Sequence, residues 1–120
     1  MKRFPAALVF LLGATPALAD GPFDGKWAFD TRSCASNEDD TVIIGDGRVT
    51  YYESECDIGG VEPIGDSNSA WRAQLTCSGE GETWANETIF AIDRGTGEER
   101  RQLIEINMAD GWVVVRQPCD

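Results

Sequence analysis

Trp71-Arg72-Ala73-Gln74-Leu75-Thr76-Cys77 alternates without a break. Trp71, Ala73, Leu75 and Cys77 fall on one face, and Arg72, Gln74 and Thr76 on the other. A period of two marks a strand with one buried and one wet face. Gly79-Glu80-Gly81-Glu82 interrupts the pattern, which resumes from Thr83 to Ile92 with Trp84, Phe90 and Ile92 on one parity. Two alternating runs parted by glycines form a hairpin signal.

The same reading extends in both directions. Lys26-Trp27-Ala28-Phe29 and Thr41-Val42-Ile43-Ile44 read as strands, separated by a polar stretch over 30–40. Gly45-Asp46-Gly47 can take the positive φ of a tight turn, and it leads into a third strand from Arg48 to Ser54. Val61–Ile64 is a weaker strand, with Pro63 consigning it to an edge or a bulge. Arg101–Asn107 and Trp112–Gln117 form a last hairpin across Ala109-Asp110-Gly111. No window carries a sustained 3.6-residue apolar period, so almost no helix is expected. Seven clear strands and a weaker one suit a sandwich or a barrel. Closure removes exposed edges, so the expected fold is all-β, a small antiparallel up-and-down barrel of about eight strands.

Residues 1–19 read as a signal peptide. Met1-Lys2-Arg3 is positive, Ala6–Leu12 is apolar, and Ala17-Leu18-Ala19 is a small-x-small cleavage site. The apolar run falls short of the roughly 20 residues that span a bilayer. Residues 20–120 then form a single barrel domain, periplasmic or secreted and without a membrane association after cleavage. The leader holds two of the ten basic residues and none of the 21 acidic ones. The mature chain therefore carries eight against 21, a formal charge of −13. Nucleic acid and anionic membrane surfaces repel such a chain, and a basic protein surface attracts it. The sequence has no histidine, so zinc sites and Ser-His or Cys-His pairs lack their usual member. No motif asks for a cofactor or a metal, and the chain is not expected to be an enzyme.

Cys34, Cys56, Cys77 and Cys119 form an even set in an exported chain, the pattern of a two-disulfide framework. Three pairings are open. Cys34–Cys119 with Cys56–Cys77 is preferred, because the first and last strands of such a barrel are neighbours. Strand alternation sets Cys119 at the opposite end from the other three, so this pairing requires the chain after Asp30 to fold back.

Gly25-Lys26-Trp27 opens the first strand, and Arg116 stands in the last, three residues before Cys119. This resembles the signature of the calycin superfamily: lipocalins, avidins and small bacterial metalloprotease inhibitors. The resemblance implies that Arg116 covers the Trp27 indole at the closed end of the barrel. It also implies a carrier of small apolar ligands or an inhibitor whose N-terminal trunk enters a protease cleft. The corresponding stretch here, Asp20-Gly21-Pro22-Phe23-Asp24, is short. Tyr52-Glu53-Ser54-Glu55-Cys56 and Cys77–Trp84 are also similar to segments of small exported bacterial proteins of unassigned function.

Glu53, Glu55, Glu80 and Glu82 are the one site-like group, since a Cys56–Cys77 bridge sets their segments side by side. The simplest reading is solvated charge; oxygen ligands for calcium and a glycosidase acid–base pair are the chemistries they permit. Glu53 has Arg72 or Arg116 as partners if it points inward. Glu38-Asp39-Asp40 lacks the spacing of a calcium loop and reads as surface. Trp71, Trp84 and Trp112 are expected in the core rather than around a cavity. Tyr51 and Tyr52 are adjacent and must face opposite ways, so one is exposed as a contact surface. The expected function is an exported binding or inhibitory module for a basic protein partner. The alternative is a calycin-like carrier of a small apolar ligand, which requires an open interior.

Overall fold

In the computed structural model the alternating runs become the longest strands of a closed barrel. The structure describes residues 21–35, 41–95 and 101–119. The leader and Glu38-Asp39-Asp40 lie outside the described residues. Eight strands follow in order: β1 (Gly25–Ala28), β2 (Thr41–Gly45), β3 (Arg48–Thr50), β4 (Glu55–Pro63), β5 (Ala70–Gly79), β6 (Glu82–Asp93), β7 (Gln102–Asn107) and β8 (Trp112–Pro118). Each pairs antiparallel with the next, and β8 returns to β1, with Trp27 opposite Pro118 and Ala28 opposite Gln117. The all-β, eight-stranded antiparallel barrel is therefore as the alternation led one to expect.

Two strand boundaries differ. The third strand ends at Thr50, because Tyr51 N–H donates to the Ser54 carbonyl (2.8 Å) and turns the chain. The weak fourth strand is instead nine residues long, with its register shifting between Ile58 and Gly60. The Gly59-Gly60 pair absorbs that bulge, and Pro63 stands at the last position, where a missing N–H matters least. Asp46 (φ 56°) and Gly47 (φ 75°) make the tight β2–β3 turn.

Antiparallel order sends the β3–β4, β5–β6 and β7–β8 turns to one end, the mouth. Residues 21–24 and the β2–β3 and β4–β5 turns lie at the other, the base. The base is filled. Phe23 stacks on Phe90 (4.8 Å between centroids) and tilts against Trp71 (5.6 Å). Trp27, Ile92 and Leu103 complete this packing, all buried. Trp27 Nε1 donates to the Phe23 carbonyl (3.1 Å), tying the entry segment down. Each large side chain buried here contributes about 1.5–3 kcal/mol.

Both disulfides form as preferred: Cys34–Cys119 and Cys56–Cys77. A 3₁₀ turn, Thr31–Ala35, provides the fold-back after Asp30. Ser33 N–H donates to the Asp30 carbonyl (2.9 Å), and the Arg32 guanidinium lies 2.7 Å from the Asp30 carboxylate. Arg32 hydrogen bonds hold the Asp30 carboxyl below the usual carboxylate range, and the same contact raises Arg32. Lys26 Nζ donates to the Cys34 carbonyl, bringing Cys34 back toward the base and Cys119. Two intramolecular disulfides indicate a non-cytoplasmic, oxidising compartment. Among the described residues no helix is long and apolar enough to cross a membrane.

Candidate functional site

The inner face of the barrel changes chemistry from base to mouth. On β7 the inward residues run Leu103, Glu105, Asn107; on β6 they run Ile92, Phe90, Thr88, Asn86, Trp84. On these two strands carbon at the base gives way to polar groups and the Trp84 indole at the mouth, whereas the inward face of β5 (Trp71, Ala73, Leu75, Cys77) stays apolar throughout. The division falls at Glu105, 1% exposed. Arg116 Nη1 lies 2.5 Å from its Oε1, and the Tyr51 hydroxyl donates to Oε2 at 2.6 Å. A buried carboxylate needs partners on both oxygens, and this one has them. Burial first, then the Glu105 charge and hydrogen bond, pushes the Tyr51 phenol well above its ordinary range. Arg116 Nε and Thr88 Oγ1 are buried without a partner among the described residues.

Above this layer lies a cavity of about 390 Å³. Tyr51, Trp84 and Trp112 are its aromatic walls, and the Cys56–Cys77 disulfide borders it. Ser54, Asn86, Asn107 and Asp110 supply its polar groups. Asn107 Oδ1 accepts the Asp110 N–H (2.8 Å), which fixes the β7–β8 turn at the rim. A recess at the base, beside Trp27 and Arg101, is only about 210 Å³, below the roughly 300 Å³ at which ligand pockets begin.

The sequence-derived site residues are redistributed. Trp71 is core, as expected, but Trp84 (39% exposed) and Trp112 (37%) are not. They stand on inward parity too near the mouth for anything to cover them. Tyr51 and Tyr52 do diverge: Tyr51 turns inward, and Tyr52 is 62% exposed. Glu53 points out to solvent on the β3–β4 turn and takes neither expected arginine. Arg72 lies 3.1 Å from Glu87, and Arg116 is held by Glu105. Glu55 pairs with Arg48 (3.3 Å) on the outer face. Glu80 and Glu82 flank the exposed β5–β6 turn. The two segments do sit side by side: a Cβ at Gly79 would lie 2.6 Å from the Glu53 carbonyl oxygen. Yet among the described residues no three ligating side chains gather to hold a metal ion.

The stacking of Arg116 on Trp27 that the resemblance implied is not found. The cation over Trp27 is Arg101, just before β7, with Cζ 5.6 Å from the ring centroid. Arg116 instead lies 5.3 Å from the Phe29 ring, because Glu105 draws its guanidinium away. Gly25 has a direct reason: its φ is 147°, and a Cβ there would approach Trp27 Nε1 to 3.3 Å.

Glu105 escaped the sequence reading. It sits between Ile104 and Ile106, so hydropathy turns it outward, whereas Leu103, Glu105 and Asn107 are the buried set. The available signal was parity with Leu103 together with an opposite charge, Arg116, in the next strand. No protein-family model, no curated protein and no solved structure significantly matches the chain.

Proposed function

We propose that this is an exported, non-enzymatic binding protein that takes a small ligand into the mouth of its barrel. One observation carries the reading: a cavity of about 390 Å³ walled by Tyr51, Trp84 and Trp112. Its size suits a small molecule, and indoles supply broad apolar contact. The buried Glu105 carboxylate beneath it is engaged by Arg116 and Tyr51, which suits a rigid floor better than proton transfer. Gly25 and Trp27 at the base of an eight-stranded closed barrel support a calycin-like assignment. The inhibitor form of that likeness gains less, because Phe23 of the N-terminal stretch is packed into the base. The leader and the disulfides support a periplasmic or secreted location.

Titration with 1-N-phenylnaphthylamine tests the reading. The expected result is saturable probe emission with quenching of tryptophan fluorescence, lost in Trp84→Ala/Trp112→Ala. A mature, folded chain that leaves the probe dark overturns it.

A second reading, contact with a basic protein, is favoured by exposed Tyr52 beside Glu53 on the rim. It requires capture of a partner that weakens as ionic strength rises.

A further inference from the structure

Resting on the small-ligand reading, we propose that the ligand is a compact organic cation, an ammonium group with apolar substituents. Its charge sits against the faces of Trp84 and Trp112 and beside Asp110. Three observations converge on it.

The first is the wall. Indole is the side chain that attracts a cation most strongly through its face. Trp84 and Trp112 both line the cavity, and each keeps over a third of its surface open. The second is the absence of a competing cation: among the described residues no lysine or arginine lines the cavity. Arg116, on the inner face of the same strand as Trp112, is committed to Glu105. Asp110 lines the cavity and has no ion-pair partner among the described residues.

The third is the field at the entrance. Glu53 and Glu80 belong to two other turns at the same end and Glu82 opens β6 beside them, so three turns bring carboxylates to one mouth. The whole chain carries −11. A concave site ringed by one sign of charge raises the local concentration of the opposite ion. Anions are repelled at the same entrance. A neutral sugar uses the indoles and the Asn86 and Asn107 amides but draws nothing from the charge. An ammonium ion uses all three features, and the oxygens of Ser54, Asn86 and Asn107 accept its N–H or O–H groups.

The experiment compares choline with 3,3-dimethyl-1-butanol, its uncharged isostere, by calorimetry and by displacement of 1-N-phenylnaphthylamine. Choline is expected to bind about tenfold more tightly than the isostere, the value of one to two cation–π contacts. The preference shrinks with added salt and in Asp110→Asn, a surface change that leaves the core intact. Trp84→Leu removes it, with circular dichroism confirming the fold. Naphthylamine binding with no preference for choline over the isostere overturns the cation and leaves the cup. Tighter binding of glucose than of choline overturns it in favour of a neutral ligand. Failure of every probe, naphthylamine included, removes both readings.

Discussion

Arg116 and Glu105 meet diagonally across the β7–β8 pair. Arg116 stands opposite Leu103, and its guanidinium reaches Glu105 two residues nearer the mouth. Both side chains are almost wholly buried, 6% and 1% exposed. Removing one partner strands the other charge, at a cost of about 3–5 kcal/mol. Arg116→Met is therefore expected to lower the urea midpoint sharply at constant slope. Arg116→Met with Glu105→Leu is expected to recover most of that loss. A single variant as stable as the parent would remove Glu105 from its structural role.

Tyr51 supplies a pH dependence. Its folded pKa is raised by burial and by Glu105, so the folded state keeps a proton that the unfolded state releases. The contribution is fully present below the unfolded value near 10 and declines above it, by about 1.4 kcal/mol per pH unit. The chain has two tyrosines. Tyr52→Phe leaves Tyr51 alone, and its phenolate absorbance is expected only as the protein unfolds in alkali. A reversible phenolate in the native protein near the ordinary value would contradict this.

The Cys34–Cys119 bridge closes a separation of 85 residues and ties the 3₁₀ turn to the end of β8. By loop-closure entropy it contributes about 4–5 kcal/mol, against about 3 kcal/mol for the shorter Cys56–Cys77 loop. Replacing both Cys34 and Cys119 by serine is expected to cost more than the same change at Cys56 and Cys77. Denaturant melts of the two double variants check the order.

Gly79 is required by close approach rather than by its dihedral. A Cβ would meet the Glu53 carbonyl oxygen at 2.6 Å and Ser54 Cβ at 2.8 Å. Gly79→Ala must push the β3–β4 turn off β5, carrying Tyr51 with it. The expected outcome is loss of stability together with weaker naphthylamine binding, whereas Gly60→Ala, where a Cβ meets nothing within 4 Å, spares binding.

Much of this architecture was legible, because β5 and β6 alternate over long, well-bounded runs and closure spares so small a sheet its exposed edges. The cysteine pairing was legible too, once the fold-back after Asp30 was granted. What the pattern hid has local causes. Tyr51–Ser54 looked like strand because Tyr51 and Tyr52 have high β-propensity, yet one backbone hydrogen bond makes it a turn. The fourth strand was read only from Val61 because the bulge at Gly59-Gly60 leaves no mark in hydropathy. The cavity was invisible because alternation gives the face of a tryptophan, not its depth: Trp71 and Trp84 share inward parity but stand at opposite ends of the barrel. Glu105 was concealed by isoleucines on both sides.

Phe23, Phe90 and Trp71 stack toward the base, with Phe90 opposite Glu105 in register, and the residues that line the cavity lie toward the mouth. Strand β6 carries both sets, Phe90 and Ile92 in the packed core, Trp84 and Asn86 on the cavity wall. Tyr51 and the Cys56–Cys77 bridge belong to both core and cavity wall, whereas Trp84, Asn86 and Trp112 line the cavity without belonging to the buried core. If the mouth holds a ligand as proposed, substitutions at 84, 86 or 112 retune what is held while the hydrophobic plug stays constant, so descendants of this scaffold are free to diverge in their choice of cargo without first losing the vessel.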